Sequence, residues 1–144
     1  MSRADQAIEY HHMGYNCAQS VVLAFERESG LTQAQAARLS AGLGGGVGQL
    51  REICGAVTGM TIVLGLLQAE SEPSPENKRA IYQATRNIAE RFERGAGSMR
   101  CGELLGLSGR DEPFPPADKR PCDMLIRSAV GFLEEVLDAS NNGA

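Results

Sequence analysis

Four residues of this 144-residue chain carry thiol chemistry: Cys17, Cys54, Cys101 and Cys122. As a thiolate, cysteine is a nucleophile and a ligand for soft metals and iron–sulfur clusters. Cys54 stands beside an apolar segment, residues 56–69, that predicts a helix. Unpaired backbone N–H groups and the positive end of the helix dipole favour a thiolate at such a position. We therefore predict that Cys54 is a reactive or metal-binding thiol.

The other three cysteines also lie at or near predicted helix starts. Cys17 follows Asn16, a good N-cap residue, and Cys101 begins a short predicted helical turn. Cys122 follows Pro121, which suits the first position of a helix. If these cysteines filled the core, we would expect them in mid-helix among the Leu and Val positions. Their placement favours thiolate chemistry or metal ligation over packing.

Glycines surround Cys54 on both sides. Gly55 and Gly59 lie four apart, so they share one helical face and leave a strip where another helix or a bound group can approach the backbone. The glycine-rich run 42–48 lacks the Lys and Ser/Thr of a phosphate-binding loop and follows a predicted helix instead of a strand. We interpret this run as a connector with positive φ angles, or as a loop whose N–H groups face sulfur.

Two histidines and two arginines are candidates for supporting roles. His11 and His12 precede Cys17 and could supply an imidazole ligand or a proton acceptor, although surface positions would also explain them. Arg51 and Arg100 each come shortly before a cysteine. A guanidinium there would stabilise a thiolate, and a solvated side chain is the alternative.

Composition limits the class of protein. With a net charge of −4 and a hydrophobic fraction of 42%, the chain predicts one domain over residues 1–144 and no nucleic-acid partner. The N-terminal residues lack the apolar core of a signal peptide, so we expect a cytoplasmic protein. Disulfides are rare in that reducing compartment, and an even number of cysteines there favours metal binding, cluster binding or thiol–disulfide chemistry.

Helices must position these side chains. The pattern predicts an all-α, single-domain helical bundle of about five to six helices around the central apolar helix 56–69. That segment is shorter than the roughly 20 apolar residues that cross a bilayer, and a strand over 61–67 is the competing interpretation. Residues 107–121 predict a Pro-rich loop, and the end of the chain from Asn141 predicts fraying.

The predicted helix starts are Asn16, Thr32 (with a capping box to Gln35), Ser74 and Pro121, and the predicted ends are Gly14, Gly42 and Gly95.

The cysteine spacing and the sequence C-G-A-V-T-G at residues 54–59 resemble the family of redox-active proteins described by the pattern C, GCAxxG, C, C. The resemblance covers nearly the whole chain, with one departure at Ile53, where the family label writes Gly. It implies that the defining positions are Cys17, Cys54, Gly55, Gly59, Cys101 and Cys122. The family is similar to part of a cytochrome that also carries an iron–sulfur centre. Because this chain has no C-x-x-C-H sequence, covalent haem attachment is not indicated.

Two redox mechanisms follow. In the first, the four cysteines bind a metal ion or a cluster of the 2Fe–2S type, with Gly55 and the glycine-rich run giving room and N–H donors. In the second, pairs of thiols cycle between dithiol and disulfide, Cys54 attacking and Cys101 or Cys122 resolving. The absence of a C-x-x-C sequence counts against a thioredoxin-like motif and weakens a structural zinc site. Either mechanism would make the protein a thiol-based or iron–sulfur oxidoreductase or electron carrier with an unidentified redox partner.

A third interpretation belongs to another class: a non-catalytic helical interaction or oligomerisation protein with structural cysteines. It predicts unreactive thiols and no bound metal. Gly55 and Gly59 would then serve packing, and a homodimer is compatible with each of the three interpretations.

Overall fold

A computed structural model describes residues 1–141 of the chain, which contain α-helices and two short 3-10 turns but no β-strand. The all-α prediction is confirmed. Residues 142–144, for which the sequence predicts fraying, lie outside the described part. The helices are α1 (Arg3–His12), α2 (Cys17–Ala24), α3 (Glu26–Ser29), α4 (Gln33–Leu39), α5 (Gly55–Gln68), α6 (Pro75–Ala96), α7 (Cys101–Leu104) and α8 (Cys122–Asn141), and the 3-10 turns are Ala41–Leu43 and Ala117–Lys119.

Side-chain caps define the helix starts as the sequence predicts. The Asn16 side chain accepts a hydrogen bond from the Gln19 N–H at 2.9 Å, and the Gln19 side chain accepts one from the Asn16 N–H at 2.9 Å. Thr32 and Gln35 form the predicted capping box at the start of α4. Ser74 caps α6, and Pro75 occupies its first turn. These caps satisfy N–H groups that would otherwise have no partner in the helix.

Three predicted helix boundaries are wrong by one to three residues. Helix α4 ends at Leu39 with Ser40 as its cap, before the predicted end at Gly42, and a 3-10 turn follows. Helix α6 continues past Gly95 to Ala96, because Gly97 and not Gly95 adopts the left-handed conformation (φ 92°) that ends a helix. At the start of α8, the Pro121 carbonyl accepts the N–H of Leu125 at 3.0 Å, so Pro121 precedes the first helical residue. Cys122 therefore takes the first helical position, and its predicted place in the first turn is confirmed.

Helix α5 is the central buried helix that the apolar segment predicts. It packs most extensively against α2 and also contacts α6 and α8. The competing strand over residues 61–67 is absent, since these residues belong to α5. The largest buried side chains of the core include Val21, Val22, Phe25, Met60, Val63, Leu64, Phe92, Ile126 and Leu133.

The two glycines of α5 allow its close approach to α2. A Cβ atom at Gly59 would lie 2.9 Å from the Ala18 carbonyl oxygen, and one at Gly55 would lie 3.0 Å from the Ala18 nitrogen and 3.2 Å from the Cys17 Cβ. All three distances are shorter than an ordinary van der Waals contact. The side-chain-free strip thus brings the start of α2, with Cys17, against the start of α5, with Cys54.

The glycine-rich run turns with left-handed backbone geometry, as the connector interpretation predicts. Gly45, Gly46 and Gly48 have positive φ angles, and so do three residues with side chains, Val47, Gln49 and Arg51 (φ 62° to 67°). A left-handed conformation costs a non-glycine residue about 1–2 kcal/mol. Backbone hydrogen bonds hold the turn closed, among them Arg51 N–H to the Gly45 carbonyl at 3.0 Å and Glu52 N–H to the Gly46 carbonyl at 2.9 Å.

Among residues 1–141, no helix combines the length and the apolar character that crossing a bilayer requires.

Candidate functional site

All four cysteines line one cavity of about 530 Å³. Cys17, Cys101 and Cys122 are the first residues of α2, α7 and α8, and Cys54 is the residue that precedes α5. Their predicted positions at helix starts are confirmed. Cys54 and Cys101 are buried, whereas Cys17 and Cys122 are half-buried. The fold thus brings together four helix N-termini from distant parts of the chain, each carrying one thiol.

The four sulfur atoms influence one another. In each of the six cysteine pairs, the two residues lie close enough for one to alter the pKa of the other. The closest coupling joins Cys17 and Cys122: the Cys17 thiol donates a hydrogen bond to the Cys122 sulfur, which raises the pKa of Cys17 and lowers that of Cys122. Burial raises the pKa of Cys17 further. Cys122 is therefore the thiol of this pair that ionises first.

Cys54 does not have the stabilised thiolate that its helix position predicts. Burial raises its pKa to about 11, although the N–H groups of Ala56 and Val57 hydrogen-bond to the sulfur and lower the pKa in part. The prediction from helix position alone is wrong here because the cost of removing a thiolate from water exceeds the contribution of two N–H groups. Burial also raises the pKa of Cys101, partly offset by a hydrogen bond from Arg51.

Backbone pairing fixes Cys54 and Cys101 on one side of the cavity. The Cys54 N–H donates to the Met99 carbonyl at 2.8 Å, and the Cys101 N–H donates to the Glu52 carbonyl at 2.6 Å. Between these two hydrogen bonds, Ile53 forms an antiparallel β-bridge with Arg100. Residues 52–54 and 99–101 are thus held as a short two-stranded contact, which sets the relative position of the two thiols.

The glycine-rich run forms part of the cavity wall beside Cys101. A Cβ atom at Gly46 would lie 2.7 Å from the Cys101 Cβ and 2.6 Å from the Glu52 nitrogen, so no larger residue fits there without movement. Gly45 and Gly46 both line the cavity. Within the described chain, no backbone carbonyl accepts a hydrogen bond from either of these two N–H groups. Both N–H groups thus belong to residues of the cavity wall and have no backbone acceptor among the described residues.

Gly55 and Gly59, the predicted cofactor-binding glycines, have different surroundings. Gly55 lines the cavity, between Cys17 and Cys54. Gly59 lies one turn further along α5 and faces the backbone of Ala18 and the side chain of Val21. Its close contacts are with α2 within the core.

At the Cys17–Cys122 side of the cavity lies a histidine–aspartate cluster. A ring nitrogen of His11 lies within 4.8 Å of the Cys17 and Cys122 sulfurs. His11 Nδ1 is 3.2 Å from Asp123 Oδ1, and His12 Nε2 is 2.7 Å from Asp123 Oδ2. Burial raises the pKa of Asp123, but the hydrogen bonds with His12 and His11 outweigh it and hold that pKa below its usual range. His11 also lines the cavity, and its side chain is 20% exposed against 63% for His12.

The two candidate arginines have separate roles. Arg51 is buried, at 8% exposure, with its guanidinium carbon 3.9 Å from the Phe114 ring centre and a hydrogen bond to the Cys101 sulfur. Its Nε and Nη1 atoms are buried without a hydrogen-bond partner among the described residues. Arg100 is more exposed and pairs with Glu52 at 3.0 Å. Of the two, only Arg51 supports a cysteine.

Several residues of the cavity could not be identified from the sequence. Phe114 and Arg120 line it from the Pro-rich loop. The loop path is partly set by the Arg120 side chain, which donates to the Pro115 carbonyl at 2.6 Å, and by the Arg51–Phe114 stacking. Asp123 follows Cys122 directly, but its partners are more than 100 residues away in sequence. Local sequence patterns do not indicate contacts between residues so far apart in the chain.

Comparison with known proteins supports a redox family. Residues 15–136 match the family model C_GCAxxG_C_C, whose description is "Putative redox-active protein". No curated protein and no solved structure matches the chain significantly. Because the match extends from before Cys17 to beyond Cys122, the chain belongs to the C_GCAxxG_C_C family.

Proposed function

We propose that this protein is an electron carrier or oxidoreductase whose four cysteines hold an iron–sulfur centre in the cavity. The observation that carries the proposal is the convergence of Cys17, Cys54, Cys101 and Cys122, from four separate helix starts, on a single cavity of about 530 Å³. Four thiolates are the usual protein ligands of 2Fe–2S and 4Fe–4S clusters.

The protonation of the thiols supports a metal centre over free dithiol chemistry. The pKa values of Cys17, Cys54 and Cys101 are all raised. At neutral pH these thiols stay protonated and are poor nucleophiles unless a positive charge compensates the thiolate. A bound metal supplies that charge and displaces the protons. Buried thiols that are inert alone are suitable as metal ligands.

The spread of the sulfurs favours a centre with more than one metal ion. Four thiolates on one tetrahedral zinc ion, with Zn–S bonds of about 2.3 Å, lie roughly 3.8 Å apart. In the described residues, no three cysteine sulfurs form a group within 4.8 Å of one another; the groups of that size include a histidine. A cluster with bridging sulfides accommodates more widely spaced ligands.

The surroundings of the cavity fit such a centre. When bound, an iron–sulfur cluster supplies one-electron transfer. The four thiolates would ligate it, and the N–H groups of Gly45 and Gly46 would donate hydrogen bonds to sulfur, which tunes the reduction potential. The side chains of Leu104, Leu125 and Phe114 line the cavity and limit the access of water.

Anaerobic purification from iron-supplemented cells tests this proposal. We expect a coloured protein with iron and acid-labile sulfide in equal amounts, and no colour in the Cys54→Ser variant. A colourless wild-type protein that takes up neither iron nor sulfide during reconstitution would refute the iron–sulfur centre.

A second candidate function is a Cys17–Cys122 dithiol couple. It is favoured by the hydrogen bond between the two thiols and by the lowered pKa of Cys122. Here Cys122, and not Cys54 as the helix argument predicts, would attack a substrate disulfide. Cys17 would then displace the mixed disulfide, so that the substrate gains two electrons and two protons while a Cys17–Cys122 disulfide forms. Peptide mapping after treatment with oxidised glutathione tests it: that single disulfide supports the couple, and its absence contradicts it.

A further inference from the structure

Three ligand atoms gather at one side of the cavity: the Cys17 sulfur, the Cys122 sulfur and a ring nitrogen of His11. They lie within 4.8 Å of one another, and all three residues are half-buried. Ligand atoms around a single tetrahedral ion with two thiolates lie about 3–4 Å apart. Only small side-chain adjustments are needed to close these three around one ion.

Asp123 orients the histidine of this group. Its carboxylate oxygen lies 3.2 Å from His11 Nδ1. In the tautomer with the proton on Nδ1, the carboxylate accepts that N–H and the Nε2 lone pair is available to a metal. Metal-binding histidines in proteins are commonly held in this way by a carboxylate, which fixes the ring tautomer and raises the basicity of the ligand. The second Asp123 oxygen is 2.7 Å from His12 Nε2 and so keeps the carboxylate in place.

The donor set selects a class of metal. Two thiolates and one imidazole suit a borderline-soft divalent ion, of which Zn²⁺ is the main cellular example. Three protein ligands leave a fourth position, and here that position faces the cavity. This pattern of Cys₂His with one open position occurs in catalytic zinc sites.

We propose that the protein without its iron–sulfur centre binds one divalent ion of the Zn²⁺ class through Cys17, Cys122 and His11, with Asp123 as the outer-shell partner of His11. The site uses neither Cys54 nor Cys101. It shares Cys17 and Cys122 with the four-cysteine centre, so one molecule holds one or the other, but it can form when Cys54 and Cys101 are missing. A small molecule in the cavity could reach its open position.

Titration of the reduced, metal-free protein with Co²⁺ under anaerobic conditions tests this site. We expect one equivalent to bind, with thiolate-to-cobalt charge-transfer absorption and the visible bands of a tetrahedral ion. His11→Ala weakens binding by at least about tenfold, and Asp123→Asn weakens it by about tenfold. His12→Ala is the comparison variant: His12 holds Asp123 but is not a ligand of the proposed ion, so its removal should weaken binding less than Asp123→Asn does.

The Cys54→Ser/Cys101→Ser double variant separates this proposal from the iron–sulfur centre. It should lose the centre and still bind one Co²⁺ with unchanged affinity, and circular dichroism verifies that it is folded. Equal loss of binding in this double variant and in Cys17→Ser would instead indicate a four-cysteine site and overturn the proposal. So would an absence of binding in the wild type, or an equal effect of His11→Ala and His12→Ala.

Discussion

The two sides of the cavity hold their cysteines in different ways. Cys54 and Cys101 are buried and fixed by backbone hydrogen bonds between residues 52–54 and 99–101. Cys17 and Cys122 are half-buried, hydrogen-bonded to each other and next to His11. On the first side backbone hydrogen bonds hold both residues in place, and Arg51 adds a side-chain hydrogen bond to the Cys101 sulfur. On the second side the side chains themselves make the contacts, and an alternative ligand is at hand.

This difference indicates how one site can be both rigid and exchangeable. Among the described residues, no group of three potential ligand atoms within 4.8 Å of one another includes Cys54 or Cys101. Ligands held by side-chain contacts can rearrange by moving from one staggered rotamer to another. In the proposed iron–sulfur centre, the Cys54–Cys101 side would anchor the cluster and the Cys17–Cys122 side would be where ligands exchange.

Loss of a thiol should have its largest effect on the anchored side. Cys54→Ser should abolish iron binding, since Cys54 belongs to no group of alternative ligand atoms among the described residues. Cys17→Ser should weaken iron binding by about 10–100-fold, since His11 can take over as a ligand. Iron analysis after anaerobic reconstitution measures both, and equal loss in the two variants would remove the distinction between the sides.

Steric exclusion at Gly46 gives the next largest effect. Gly46→Ala should lower the free energy of unfolding by about 3 kcal/mol, from the left-handed backbone and the contact with the Cys101 Cβ. Gly48→Ala is the matched control in the same run, because its φ is also positive but nothing lies within 4 Å of the added Cβ. Gly48→Ala should lower the free energy of unfolding by only about 1 kcal/mol. Urea unfolding compares the two, and similar losses would show that the Gly46 contact is not tight.

A smaller effect is expected from the ionisation of Cys54 at alkaline pH. Its pKa is about 11 in the folded protein and about 9 when unfolded. The folded state then holds its proton more tightly, so stability is full below pH 9 and falls as pH rises towards 11. The loss is about 2–3 kcal/mol in the metal-free protein. Urea unfolding at pH 8 and pH 11 measures the loss of unfolding free energy over this range. The loss should be about 2–3 kcal/mol smaller in Cys54→Ala than in the wild type. An identical loss in the two proteins would mean that the Cys54 thiol is not buried.

The smallest expected effect concerns the reactivity of Cys101. Removing the guanidinium in Arg51→Met withdraws a hydrogen bond that lowers the Cys101 pKa. Alkylation of Cys101 by iodoacetamide at pH 9 should slow by about threefold to tenfold, as fewer molecules carry the thiolate. Alkylation of Cys122 in the same sample serves as the internal control and should not change. Equal slowing at both cysteines would show that the substitution acts on the whole cavity.

The sequence predicted the parts of the site that depend on local structure. Helix starts at Asn16, Thr32 and Ser74 follow from capping side chains within three residues, and the structure has them where predicted. The placement of each cysteine at a helix start followed from the same local signals. Gly55 and Gly59 were predicted to allow a close approach, and the approaching element is α2.

The pKa values and the pairing of the cysteines depend on long-range structure and could not be predicted in this way. The high pKa of Cys54 comes from burial, and burial cannot be predicted from a position at a helix start. The Cys17–Cys122 pair and the contact of His11 with Asp123 each join residues more than 100 positions apart. Arg51 and Arg100 looked equivalent in sequence, and only the fold separates the buried one from the exposed one.

The central claim is that the four cysteines act together as ligands of one centre. Counting the thiols that react with iodoacetamide at pH 9, in the loaded protein and again after the metal is removed by a chelator under reducing conditions, tests it most directly. The protein is then denatured and labelled a second time, so that each thiol protected in the first step is identified by the second label. We predict four protected thiols in the loaded protein and faster labelling of all four after metal removal. Protection of Cys17 and Cys122 alone, with Cys54 and Cys101 unaffected by the metal, would contradict the claim.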